Sequence, residues 1–251
     1  AHRTLPPHHL EAHHPEEAYL DTELIPFELH NTLRPGQLLA ASEKADMLIN
    51  LQEGGRVNDY VLDRLHMLRD PDRAVAKRRA RLLMFLNILL RLKNLRPNIT
   101  VDIEKGGLEK LAKELRSSSD ILQPLLDLFY LSSSAVEGVT VYNMSNTGTT
   151  LLYTYICVTA LLAEPGCSLL APQVELLAKV LKTSVADVVQ HLREVGATCK
   201  PVKLQTEDED GAASAQVGAG RSYNAVLLSD RNKSLREALP AIKMMPKAKK
   251  K

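Results

Sequence analysis

The side chains of this chain best placed for chemistry are lysines and arginines rather than nucleophiles or metal ligands. Lys179, Lys182, His191, Arg193, Lys200, Lys203 and Arg221 fall in one stretch, and Lys110, Lys113 and Arg116 in an earlier one. Such groups neutralise phosphates and release condensed counterions, which needs charge and placement but no reaction. Taken singly, each is also an ordinary solvated charge, so the set carries more weight than its members. Other candidates are weaker. His8, His9, His13 and His14 are spaced as metal ligands could be, but they lie beside Pro6, Pro7 and Pro15 in a segment that reads as disordered, where metal capture is adventitious. Cys157, Cys167 and Cys199 form no C-x-x-C pair and read as reduced core thiols. Gly218 to Gly220 lack the preceding strand and following helix of a phosphate loop. With no G-x-S-x-G elbow and no Cys/His pairing, the chain is expected not to be an enzyme and to need no metal or cofactor.

The basic groups need elements to hold them, and Asn146 to Leu228 supplies a recognisable order. Leu151, Leu152, Tyr155, Ile156, Thr159 and Leu162 make an opening helix apolar almost all round, which places it at the centre of its unit. Pro172 starts a second helix whose inner face is Val174, Leu177, Val180 and Leu181, with Glu175, Lys179 and Lys182 outward. Ser184 and Asp187 cap a third helix, with Val185, Val188, Val189, Leu192 and Val195 inward, Gln190, His191 and Arg193 outward, and Gly196 as the left-handed exit. Val202 and Leu204, then Tyr223, Ala225 and Leu227, alternate as half-buried strands around a polar loop. Three helices closing on a hairpin make a winged helix, which binds DNA by laying a helix in the major groove and the hairpin on the neighbouring backbone.

A rougher copy lies upstream. Pro71 opens the longest helix, basic from Arg73 to Arg81 and apolar from Leu82 to Leu90; Ile99, Val101 and Ile103 alternate as a strand. Leu108, Leu111 and Leu115, then Ile121 to Phe129, give two more helices, and Val136 to Val141 a wing strand. The Arg73–Arg81 cluster reads as the solvated half of its helix, with a contact to DNA or to an acidic protein surface as the other reading. Before this unit, Ser42 begins a short helix and Asn58 caps a second, a helical hairpin. The expected organisation is a disordered arm over 1–19, a linker with the hairpin over 20–70, winged helices over 71–144 and 145–229, and a basic tail over 230–251. The fold class is mainly α with small β-hairpins, a tandem winged helix preceded by a helical-hairpin linker. Residues 20–36 read as extended chain lying on another surface.

Composition agrees with a chain that folds in water: 45% hydrophobic and 25% charged residues, but only 4% aromatic, so the core must be aliphatic. Net charge is +2 and divides unevenly, with 4 Lys/Arg against 9 Asp/Glu in residues 1–56 and 28 against 21 in the remainder. An acidic arm and a basic body suit a body that meets polyanion and an arm that meets a basic protein. The longest apolar run, Leu82 to Leu90, is far short of the ~20 residues that span a bilayer, and no signal pattern begins the chain, so no membrane partner is expected. Few aromatics also argue against stacking on single strands.

Three blocks carry a resemblance: Arg79 to Leu92 (RARLLMFLNILLRL), Leu151 to Leu162 (LLYTYICVTALL) and Leu177 to Cys199 (LAKVLKTSVADVVQHLREVGATC). In this order they resemble the RNA polymerase I specific subunit of the forty-nine-kilodalton type, over roughly Tyr19 to Leu228. The resemblance implies a linker that crosses the polymerase cleft and a tandem winged helix, like that of general transcription factor IIE, that binds double-stranded DNA. It also implies a non-catalytic role in ribosomal RNA synthesis in the nucleus and nucleolus, on the polymerase I core. The family's N-terminal dimerisation module, which pairs with a second subunit, has no counterpart here. Two features depart from a DNA-gripping unit: the third helix sets Asp187 and Glu194 beside His191 and Arg193, and the wing loop over 205–221 begins with Glu207 to Asp210. Two other readings therefore stay open, a stand-alone winged-helix transcription factor and a winged-helix protein-interaction module without DNA binding.

Overall fold

The computed structural model describes residues 4–55, 57–102, 104–202 and 222–240, and within them the chain is mainly α with two small antiparallel sheets. Two single-turn helices, α1 (Pro15–Ala18) and α2 (Asp21–Leu24), precede α3 (Gly36–Glu43), α4 (Ala45–Glu53) and α5 (Asp59–Asp63). The first unit then runs α6 (Arg73–Leu92), β1 (Asn98–Asp102), α7 (Gly107–Glu114), α8 (Ser119–Phe129), β2 (Leu131–Val136) and β3 (Val139–Asn143). The second repeats it as α9 (Asn146–Ala163), β4 (Ser168–Leu169), α10 (Ala171–Leu181), α11 (Val185–Glu194), β5 (Ala197–Val202) and β6 (Ser222–Leu227), followed by α12 (Leu235–Ala238). The sheets share one strand order, β1-β3-β2 and β4-β6-β5, so the last strand of each unit lies in the middle. Among the described residues no helix is long and apolar enough to cross a membrane.

Local signals place these elements. Asp72 caps α6, its carboxylate accepting from the Ala74 N–H at 2.8 Å, and Ser145 caps α9 by accepting from the Gly148 N–H at 3.0 Å. Ser184 and Asp187 form the reciprocal cap expected of α11, and Gly196 leaves that helix with φ +89. Asn58 caps α5 as expected. Its own N–H donates to the Asn87 side chain at 2.8 Å, which accounts for the polar interruption in the apolar half of α6.

The hairpin differs from expectation at its start. Ser42 is buried in the last turn of α3, donating to the Leu39 carbonyl at 2.7 Å, and it is Lys44, in extended conformation, that separates α3 from α4. Strands β2 and β4 were not foreseen either, since Ser132 to Ser134 lack alternation and β4 has only two residues.

The apolar half of α6 packs along α9, each helix buried on several sides, and a single aliphatic core runs through both units. A helix that is apolar all round needs neighbours on every side, and the other unit's long helix is one of them.

The arm also departs from expectation. Residues 4–19, expected to be disordered, pack on the body, with Ala18 and Tyr19 fully buried. Thr154 donates to the Thr4 carbonyl at 2.7 Å, and the N–H groups of Leu235 and Arg236 donate to Ala12 and Leu10, each at 2.9 Å. A proline- and histidine-rich composition hides these few anchors, which find a preformed surface rather than building a core of their own. Residues 20–36 lie on this chain itself: Leu24, Ile25, Leu29 and Leu33 are buried, and the turn at Phe27–Leu29 rests on α8. The expected tail begins with the folded α12, whose Leu235 is buried; Lys243 to Lys251 lie outside the described residues.

Candidate nucleic-acid interface

The second helix of each unit carries most of the candidate lysines. Lys110 and Lys113 project from α7 and Lys179 from α10, with Lys182 in left-handed conformation (φ +53) just past the end of α10. Lys200 is exposed on β5. Among the described residues no carboxylate lies within ion-pair distance of any of these five. Lys203 and Arg221 lie outside the described residues.

The third helices are different. Helix α8 has Asp120 and Asp127 and no basic residue. On α11, Glu194 accepts from Gln190 at 3.1 Å and pairs with His191 at 2.8 Å, while the His191 ring stacks on Tyr153 with centroids 4.9 Å apart. His191 is thus engaged within the chain. Arg193 is exposed, its guanidinium 6.0 Å above the Tyr223 ring. Hydrogen bonds from Ser184 and Thr183 hold the Asp187 carboxyl below the usual carboxylate range, which keeps a negative charge at the start of the helix. The outward face of α11 thus mixes the His191–Glu194 pair and the Asp187 charge with the exposed Arg193.

Arg116 is exposed, but its guanidinium is engaged within the chain, donating to the Gly54 carbonyl. Within the Arg73–Arg81 cluster, Arg78 pairs with Asp21 at 2.6 Å and with Glu16 at 2.9 Å, and Arg79 with Asp70 at 2.7 Å. Arg73 and Lys77 are exposed. The acidic arm thus meets part of the basic helix of its own chain.

Sequence reasoning passed over Lys93. It follows the last residue of α6, and its ammonium donates to the Leu181 carbonyl at the end of α10, 2.5 Å away. Burial, then the neighbouring Lys182, lowers its pKa. A lysine after a long helix looks like a routine C-terminal charge, and only the docking of one unit on the other brings it to Lys182.

Two of the hollows among the described residues can be read for chemistry. An apolar cavity of about 210 Å³ between α3, α4, α6, α7 and α8 has no carboxylate, histidine or cysteine in its lining. A larger one of about 670 Å³, beneath α1 and the start of α6, contains Arg78, Arg79 and Glu164, each already ion-paired within the chain. Its Cys167 thiol is pushed up to about 11 by burial, so little thiolate is present at neutral pH. Cys157 is raised by burial as well. His8 bonds the Pro6 carbonyl and His9 faces Glu23 at 3.0 Å.

The same order of helices and strands occurs twice, joined by a shared core and carrying unpaired lysines at the second helix of each copy. No curated protein matches the chain, but the family model for the A49-like RNA polymerase I associated factor matches residues 1–228. The chain belongs to this family of RNA polymerase I associated factors.

Proposed function

We propose that this chain is a non-catalytic subunit of RNA polymerase I whose two units act as winged helices that hold double-stranded DNA by its backbone, without reading sequence. It would act in the nucleus and nucleolus on ribosomal RNA genes, docked on the polymerase core. A second subunit would pair with a separate N-terminal module. The observation that carries the reading is the match to the polymerase I factor family over residues 1–228, on a chain whose repeated units each expose lysines without carboxylate partners. Phosphates supply the missing countercharge, and no base-reading arrangement accompanies these lysines. The contacts assigned are Lys110 and Lys113 in the first unit and Lys179, Lys182 and Lys200 in the second, with Lys203 and Arg221, which lie outside the described residues, as further candidates. Arg193 lies beside the wing on Tyr223, whereas His191 and Arg116 would have to leave internal partners to join.

The test is the affinity of the chain for short duplexes of unrelated sequence across a salt series. Binding should ignore sequence and weaken steeply with salt. Charge reversal at Lys179, Lys182, Lys200 and Lys203 should weaken it uniformly with the fold intact. Affinity that survives this change would remove the second unit from the interface. One observation favours a rival reading, a protein-interaction module: on α11 His191 is taken up by Glu194 and Asp187 adds a negative charge, so few cations face outward. Complete absence of duplex binding would select it, and strong preference for one sequence would select a stand-alone transcription factor.

A further inference from the structure

We propose that the main phosphate contact of this chain is the junction between its two units, where Lys93 at the end of α6 meets Lys182 at the end of α10, rather than the outward face of either third helix. The proposal rests on the DNA-binding reading and says where on the chain the backbone lies.

Three observations converge on this place. First, the fold brings two ammonium-bearing side chains to the end of one helix, Lys93 bonding the carbonyl of Leu181 and Lys182 following that residue directly. Like charges held together repel unless a countercharge joins them. Among the described residues no carboxylate lies within ion-pair distance of Lys93, Lys182 or Lys179, the last of which is exposed one turn earlier on α10. Second, Arg96 is exposed three residues beyond Lys93, at the turn into β1, and is likewise without a carboxylate partner. The basic surface therefore has contributions from both units. Third, the surfaces usually offered to a groove are poor in free cations: α8 is acidic, and on α11 Glu194 engages His191 while Asp187 adds negative charge, leaving Arg193 as its one basic group without a carboxylate partner among the described residues.

Lys93 is a positioning group as much as a contact. Its bond to Leu181 ties the end of α6 to the end of α10, so the two units present their cations at a set separation. The partner this pairing of cations fits is a duplex backbone, whose closely spaced phosphates can supply countercharge to Lys93 and Lys182 together.

The experiment is duplex affinity against salt for the full chain, Lys182→Asn, Lys93→Gln and the double variant, with thermal unfolding of each. Lys182→Asn should keep the fold, because Asn tolerates the left-handed conformation there. We expect each substitution to lower the slope of log affinity against log salt by about 0.9, one phosphate contact, and the double variant by about twice that. Lys93→Gln should also lower the melting temperature, which Lys182→Asn should not. A loss confined to Lys93→Gln would mark a purely structural bond and overturn the proposal. A bound wild-type chain whose slope is unchanged in all variants would overturn the junction while leaving DNA binding intact. No duplex binding by the wild type would instead remove the functional reading beneath it.

Discussion

The Tyr19 hydroxyl donates to the carbonyl of Val195 at 3.0 Å, joining positions 176 apart in sequence and pinning the arm to the residue that ends α11. Burial raises the pKa of this phenol, so it remains a donor across the physiological range. Tyr19→Phe should lower stability by about 1–3 kcal/mol, since the buried carbonyl loses its partner. Tyr19→Ala should cost about 3–5 kcal/mol by opening a cavity as well. Urea unfolding measures both, and limited proteolysis should cut the region 4–18 readily only in the alanine variant.

Arg64 and Glu164 form an ion pair at 3.3 Å with both side chains almost wholly buried, tying the linker to the end of α9. Removing one partner leaves an uncompensated charge inside. Arg64→Met should therefore destabilise by about 3–5 kcal/mol, whereas Arg64→Met with Glu164→Leu should cost much less than the two single changes added together. Additive losses would mean that the pair carries little coupling.

Gly148 lies in the first turn of α9, where alanine would ordinarily favour the helix. A Cβ there would collide with the Phe129 carbonyl oxygen, a backbone atom that can move only with the end of α8. Gly148→Ala should lower stability by about 1–3 kcal/mol in spite of its helix propensity. A gain in melting temperature would contradict the close approach.

Two carboxyls shift in opposite directions. Burial raises Glu164, with Arg64 opposing, and hydrogen bonds from Ser184 and Thr183 lower Asp187. A raised carboxyl lets the folded state keep a proton that the unfolded chain releases, so its contribution falls as pH rises from the ordinary carboxylate value through the raised one. The Asp187 contribution has the other sign: it is present above the ordinary value and lost as pH falls through the lowered one. Carbon-13 NMR should find Glu164 titrating above the usual range and Asp187 below it. Asp187→Asn should flatten the acid limb of the stability curve.

Most elements were legible in the sequence because their signals are local. The buried face of α11, its Ser184–Asp187 cap, the Gly196 exit and the all-round apolar character of α9 depend on residues within a few positions of each other. Lysines such as Lys179 and Lys200 were legible as exposed charges for the same reason. The strand over Ser132 to Ser134 was not, because it is held by pairing with β3 rather than by any alternation of its own.

By itself, then, the sequence determined the long helices of both units, the caps at Asn58 and Ser184, their inner faces, and the resemblance that the family match bears out. Tertiary structure alone decided what those elements meet. It buried Tyr19 in the body, turned Arg116 to Gly54 and His191 to Tyr153 and Glu194, paired Arg78 with the acidic arm, and set Lys93 beside Lys182. The physical reason is range. Helix caps and amphipathic periodicity act over one or two turns, whereas a salt bridge or a buried hydroxyl needs only proximity in space, which the chain creates when α6 packs on α9.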